Sequence, residues 1–315
     1  MVTPTHSVVV PVYRNLATLP MLLERLAGLS PQVVGSMEAV FVVDGSPDDS
    51  ADLLRNLAPT APFPVQVVEL SRNFGAFSAI RAGLQLARGQ YVAVVAADLQ
   101  EPPELVESFF AALKKGSDVA VGVRTSRDDP ALSSLSSRAY WSLYRRFVIP
   151  EIPPGGVDVF AVTSRVRDQV VGLRESHTSL VGMLYWLGFI RAEVPYERAK
   201  RAEGKSGWSL RRKLRYLMDS VFSFTDLPIT LLIAIGVVGV LGSLTAAGVV
   251  FTAWAVGSID VSGYTPLMLS FLLIGSLLLS GLGVVGSYVW RAYENTKQRP
   301  TTVIARRDTF EGGVL

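Results

Sequence analysis

The sequence predicts an α/β protein: a doubly wound, mostly parallel sheet, then an amphipathic helix and two long apolar helices. Three observations carry that prediction. Short Val-rich runs alternate with segments of helical length over the first two thirds of the chain. No charged residue lies between Asp226 and Asp260, or between Asp260 and Arg291. Basic residues gather on the flanks of those two stretches, at Arg211, Arg212, Lys213 and Arg215 before them and Arg291, Lys297, Arg299, Arg306 and Arg307 after.

The strands come first. SVVVPVY, EAVFVVD, VQVVEL, YVAVVAAD and DVAVGV are continuous rather than alternating in hydrophobicity. Such runs suit strands buried on both faces, as in a parallel sheet covered by helices. The segments 17–29, 48–57, 75–88 and 103–115 supply the helices between them. In such a sheet ligands collect at the carboxyl ends of the strands.

Polar residues recur just past four of those ends. They read Pro11-Val-Tyr13-Arg-Asn15, Asp44-Gly-Ser-Pro-Asp48, Ser71-Arg72-Asn-Phe-Gly75 and Asp98-Leu-Gln100-Glu101-Pro-Pro-Glu104. One such loop is an ordinary turn with an N-cap. Four along one edge predict a nucleotide-sized site. His6 opens the first strand and reads as structural, and Trp186 and Phe189 as core; His177 reads as a loop or helix-start residue.

Farther on, WSLRRKLRYLMDSVFSF interleaves basic residues with Trp208, Leu210, Leu214, Leu217, Val221 and Phe224. It predicts a helix with its apolar face on an anionic leaflet. Each uncharged run that follows exceeds the ~20 residues needed to cross a bilayer. The positive-inside rule puts both flanks in the cytoplasm. Gly281-x-Gly283-x-x-Gly286 matches a dinucleotide fingerprint but sits inside an apolar run with no strand before it, so close helix packing explains it better. The expected organisation is a domain over 1–206, a juxtamembrane helix over 207–226, spans over 227–257 and 265–290 joined by a loop at 258–264, and a basic tail over 291–315.

Composition excludes several functions. With no cysteine there is no disulfide, no thiolate nucleophile and no Cys-type zinc site. A net charge of +3, with the basic residues beside apolar runs, does not describe a nucleic-acid binder. No basic and apolar leader precedes the first strand, so no secretory signal is expected.

The loops together resemble the family 2 glycosyltransferases of the GT-A, Rossmann-like fold. More narrowly they resemble polyprenyl-phosphate glycosyltransferases of the dolichol-phosphate mannosyltransferase and bactoprenol glucosyltransferase types. The resemblance runs through VVVPVYRN, DGSPDDS, LSRNFG, ADLQEPPE, VPYERAKRAEGKSGWS, both apolar runs and RAYENTKQRP. It implies an inverting transfer of one sugar from a UDP- or GDP-sugar, UDP-glucose slightly favoured, to undecaprenyl or decaprenyl phosphate. It further implies a two-span protein of a bacterial-type inner membrane with both termini cytoplasmic, a role in cell-envelope glycan synthesis, and compatibility with a homo-tetramer.

Residue by residue, the resemblance assigns Pro11, Tyr13, Asp44 and Arg72 to the nucleoside pocket. Asp98 and Gln100 would hold Mg²⁺ or Mn²⁺ on the diphosphate. Asp98, Asp158 and Arg201 would be catalytic, Asp158 as a proposed base. Arg198, Arg201 and Ser206 would grip diphosphate and lipid phosphate, with Arg124, Arg127 and Arg138 as further acceptor-phosphate residues. Glu101 is expected no closer than the metal's outer shell. Two departures stand out. Ala96 occupies the place of the family's usual first Asp, which weakens the expectation of metal dependence, and Gly207 rather than Lys follows Ser206. A non-catalytic nucleotide-sugar-binding membrane scaffold of the same fold is the alternative, and Ala96 is its support.

Overall fold

The structure is a computed structural model that describes residues 3–125, 141–142, 144–146, 148–154, 156–173, 179–199, 210–225, 227–257 and 263–313. Eight strands form one sheet: β1 His6–Val12, β2 Met37–Val43, β3 Val65–Leu70, β4 Tyr91–Val94, β5 Val119–Arg124, β6 Phe160–Thr163, β7 Arg191–Tyr196 and β8 Ile304–Phe310. Their order is β7-β5-β6-β4-β1-β2-β3-β8. β1 pairs in parallel with β2 and β4, β2 with β3, and β5 with β7. β6 and β8 run the other way. The sheet is thus mostly parallel.

The Val runs form β1 to β5 because both faces are covered. Val8, Val10, Val12, Phe41 and Val43 point into one core, and Val9, Val40, Val42 and Val68 into the other. Helices α1 Leu19–Ala27, α2 Pro31–Val34, α3 Ser50–Leu57, α4 Ala76–Leu86 and α5 Glu104–Lys114 link the first five strands. Since β1 to β4 share a direction, the loops after them open on one edge, with the switch in strand order between β1 and β4.

His6 packs against Phe110 with ring centroids 4.5 Å apart, and its Nδ1 lies 2.9 Å from the Ser36 hydroxyl. Burial pushes its pKa down to about 4, with help from Lys114.

Three expectations need correction. The stretch after the second apolar run is not simply a basic tail: its helix continues to Thr296, and Ile304–Phe310 returns as edge strand β8, antiparallel to β3. Arg55 of α3 ties that strand down, donating to Asp308 at 2.8 Å and Glu69 at 2.5 Å. Of the apolar face expected on a leaflet, Leu217, Val221 and Phe224 of the helix Leu210–Phe224 instead pack on a core of the sheet domain, and Trp208 and the side chains of Leu210 and Leu214 lie outside the described residues. The helix's Ser220 accepts from Tyr144 at 3.1 Å, and its Asp219 pairs with Arg291 at 2.9 Å. Trp186 is not core. It is 66% exposed and lines a groove with Phe224, Ile229 and Tyr288.

Two helices follow, Leu227–Ala255 and Tyr264–Thr296, both long and apolar enough to cross a membrane. A Cβ on Gly281 would lie 3.2 Å from Leu232, so the small residue lets the two helices approach.

Candidate active site

Four strand-end loops interlock before any ligand is considered. At the first, Arg14 adopts a left-handed φ of 57° and its amide donates to Ser46 Oγ at 2.8 Å. Ser46 in turn donates to Asp48 at 2.5 Å. Gly45, at φ +54°, allows the second loop to touch the third: a Cβ there would lie 2.3 Å from the Arg72 carbonyl carbon. No side chain fits, so glycine is required on both counts. Thr18 Oγ1 donates to the Ala97 carbonyl at 2.6 Å, fastening the fourth loop to the start of α1.

The expected nucleoside residues take different positions. Tyr13 is 42% exposed, with the Arg14 guanidinium 5.5 Å from its ring centre, and Pro11 is half-buried. Arg72 is exposed, with its guanidinium over the Phe74 ring at 4.0 Å. Asp44 is committed elsewhere. Its two oxygens accept from the Phe74 amide at 2.7 Å and the Gly75 amide at 2.8 Å, and the residue is 3% exposed. Burial raises its pKa, and those two amides oppose the rise. Here Asp44 fixes the turn into α4; a contact to base or ribose has only its remaining lone pairs.

The fourth loop is strained where the chemistry is expected. Leu99 is buried yet has φ 61°, an uncommon region for a residue with a bulky side chain. That turn separates Asp98 from Gln100. The segment leaving β7 docks on it, with the Ala199 amide donating to the Gln100 carbonyl at 2.9 Å. This brings Arg198 to the loop. Arg198 donates to Gln100 Oε1 at 2.5 Å, and Gln100 Nε2 donates to the Ala199 carbonyl at 3.2 Å. The side-chain oxygen expected to face a metal is therefore held by a guanidinium.

Asp158 joins the same cluster. It pairs with Arg124, from the end of β5, and with Arg198 at 3.5 Å. Burial, then the neighbouring Arg198 guanidinium, holds Arg124 below its ordinary range. Glu101 is within electrostatic reach of Arg198 and Arg124, is 8% exposed, and neither carboxylate oxygen has a hydrogen-bond partner beyond its own amide. Burial, and next the Asp98 carboxylate, push its pKa up to about 7. The structure thus brings together Asp98, Gln100, Glu101, Arg124, Asp158 and Arg198 on the carboxyl edge. Arg127, Arg138, Arg201, Ser206 and His177 lie outside the described residues.

A doubly wound sheet with such a cluster at its switch-point edge places the candidate site where folds of this class bind their ligands. The chain belongs to glycosyl transferase family 2, whose sequence profile matches residues 7–171. It is 31% identical over 96% of its length to the undecaprenyl-phosphate 4-deoxy-4-formamido-L-arabinose transferase of Pseudomonas fluorescens, covering 90% of that protein. It is 28% identical to the prophage bactoprenol glucosyl transferase homolog of Escherichia coli, over 95% of this chain and 98% of that one. Among solved structures it is similar to glucosyl-3-phosphoglycerate synthase from Mycobacterium tuberculosis in complex with Mn²⁺, UDP-glucose and phosphoglyceric acid. That match has a TM-score of 0.48 and 18% identity, over 70% of this chain and 77% of the other.

Proposed function

We propose that this glycosyltransferase moves one sugar from a nucleotide-diphosphate sugar to a polyprenyl phosphate at the cytoplasmic face of a membrane. The observation that carries this reading is the convergence of Asp98 with the Arg124–Asp158–Arg198 cluster, in a chain whose sheet domain brackets two apolar helices. The acceptor comes from the relatives' names, which specify undecaprenyl phosphate and bactoprenol for those proteins. The topology agrees. Because β8 rejoins the sheet after the second helix, both ends of the helical pair belong on one side of a membrane. The basic flanks argue that this side is the cytoplasm.

The chemistry suits these side chains. Leaving diphosphate gathers negative charge as the glycosidic bond breaks, and Arg198 and Arg124 offer guanidinium groups that match phosphate oxygens. A divalent cation at Asp98, when bound, would neutralise the leaving diphosphate. Buried Glu101, whose oxygens lack a hydrogen-bond partner, adds a second carboxyl group to the surroundings of Asp98. Gln100 would join such a cation only by sharing or releasing Arg198. A phosphomonoester acceptor, with a second pKa near ~6, is largely ionised at neutral pH and already nucleophilic. Asp158, held by two arginines, then orients the acceptor more than it deprotonates it. The single displacement inverts the anomeric carbon.

The test is transfer by the full-length protein. Polyprenyl phosphate is offered a panel of UDP- and GDP-sugars with Mg²⁺, Mn²⁺ or EDTA, and the lipid product is identified by mass. A glycosyl-phosphoryl lipid from one donor, lost in EDTA, is the expected result. Nucleotide sugar bound without any product would overturn it in favour of a non-catalytic binder.

A further inference from the structure

We propose that Glu101 is a direct ligand of the divalent cation, supplying the carboxylate that Ala96 lacks. The inference rests on the transferase reading above and names a residue for it. Buried polar groups in folded proteins almost always have partners, and an exception calls for an ion, a water or a function. Glu101 is such an exception, with both oxygens buried and unpaired. Arg124 and Arg198 influence it through space, yet neither reaches it as a salt bridge.

Its position fits the role. Leu99, with its left-handed φ, stands between Asp98 and Glu101, and the Asp98 carboxylate is near enough to help raise the Glu101 pKa. Ala96 contributes only a methyl group. Gln100 has its oxygen on Arg198 and its amide on Ala199. Among the described residues no group of three or more His, Cys, Asp or Glu could hold a metal, so a hard cation here rests on two carboxylates and the phosphate oxygens of the donor. That donor set is a usual one for Mg²⁺, which takes one or two carboxylates plus phosphate. A carboxylate moved from position 96 to position 101 keeps the count.

The test reads binding rather than turnover. Mn²⁺ affinity is measured by electron paramagnetic resonance on the full chain in nanodiscs, with UDP or GDP present, for the wild type, Glu101→Gln and the Ala96→Asp/Glu101→Gln double variant. Glu101→Gln should weaken Mn²⁺ by more than the about 10–100-fold that loss of an outer-shell partner costs, and Ala96→Asp should restore most of that loss. In EDTA, Glu101→Gln should melt no lower than the wild type, while losing the wild type's rise in melting temperature on adding Mn²⁺. Wild-type affinity in Glu101→Gln overturns the proposal and leaves the transferase reading standing. A drop in melting temperature in EDTA overturns it too, by showing a structural role. If the wild type binds nucleotide but no Mn²⁺, the cation itself is lost from the reading, whatever the transfer assay gives.

Discussion

Two glutamates are buried at opposite ends of this sheet, and they are satisfied in opposite ways. Glu38, near the start of β2, is fully buried. It accepts from Ser7 Oγ at 2.9 Å, Gln66 Nε2 at 3.0 Å, the Arg88 amide at 2.6 Å and Arg88 Nε at 2.8 Å. Glu101, past the end of β4, is nearly as buried and has no side-chain partner and no donor beyond its own amide. A buried carboxylate with a full set of donors is scaffold: its cost is met inside the fold. One without donors marks a place where the fold leaves charge to be met by something else. The amino end of the sheet is closed chemically, and the carboxyl end is open.

The largest expected effect tests the open end. Asp98→Asn should lower the rate of lipid-product formation by about 10²–10³-fold, the range seen when one transition-state charge stabiliser is removed. Its melting temperature should stay near that of the wild type. An initial rate within tenfold of wild type would break the assignment of this edge as the reacting site. At the closed end the balance should invert. Glu38→Ala takes the acceptor from buried Ser7 Oγ, leaves Gln66 Nε2 with the Leu86 carbonyl alone, and removes the ion pair to Arg88, whose side chain is 37% exposed. It should cost about 2–3 kcal/mol, a fall of roughly 5–10 °C in melting temperature. Transfer per folded molecule should be unchanged.

Next in size is a pair of opposite pH slopes, measured by thermal melts in EDTA. Glu101 has a folded-state pKa raised from 4.5 to about 7. Its contribution to stability is fully present below about 4.5 and is lost as pH rises through about 7. His6 is lowered from 6.5 to about 4, so its contribution is present above 6.5 and lost as pH falls through about 4. Glu101→Gln should flatten the first limb alone, and His6→Gln the second alone. If both variants keep both limbs, these two groups do not govern the pH dependence.

How much of this was legible in the sequence follows from the same contrast. β1 to β5 were legible because continuous Val runs have one stable use in a helix-covered sheet. β7 and β8 were not: RAEVPY and IARRDTF alternate and carry charge because they lie at the two edges of the sheet, where one side meets solvent. The strand-end loops were legible by residue type, since Asp, Asn and Arg cluster after four buried runs. Which lone pairs were already spent was not. Asp44 looks like a ligand-binding carboxylate until Phe74 and Gly75 are seen to occupy it, and Glu101 looks like no more than an outer-shell residue until its isolation is seen. Gly45 could be read as part of a turn, but its contact with Arg72 lies across two loops and leaves no local signal. Partnership is a tertiary property, and a motif names only the atoms available for it.

The smallest expected effect asks how far the closed end extends. β8 reaches the Glu38 network through Arg307, which donates to Gln66 Oε1 at 2.9 Å while Gln66 Nε2 serves Glu38. Arg307→Met keeps the stem that covers β3 but removes that donor. The loss should be about 1 kcal/mol, some 2–4 °C in melting temperature. Its size matters less than its coupling. If the C-terminal strand belongs to the same satisfied network, Arg307→Met in a Glu38→Ala background should cost clearly less than in the wild type, because Gln66 has already lost the neighbour that orients it. Strictly additive losses would mean that β8 is attached to the sheet independently. The closed end would then stop at Gln66, with the return of the chain from the second apolar helix resting on Arg55 and the β3 ladder.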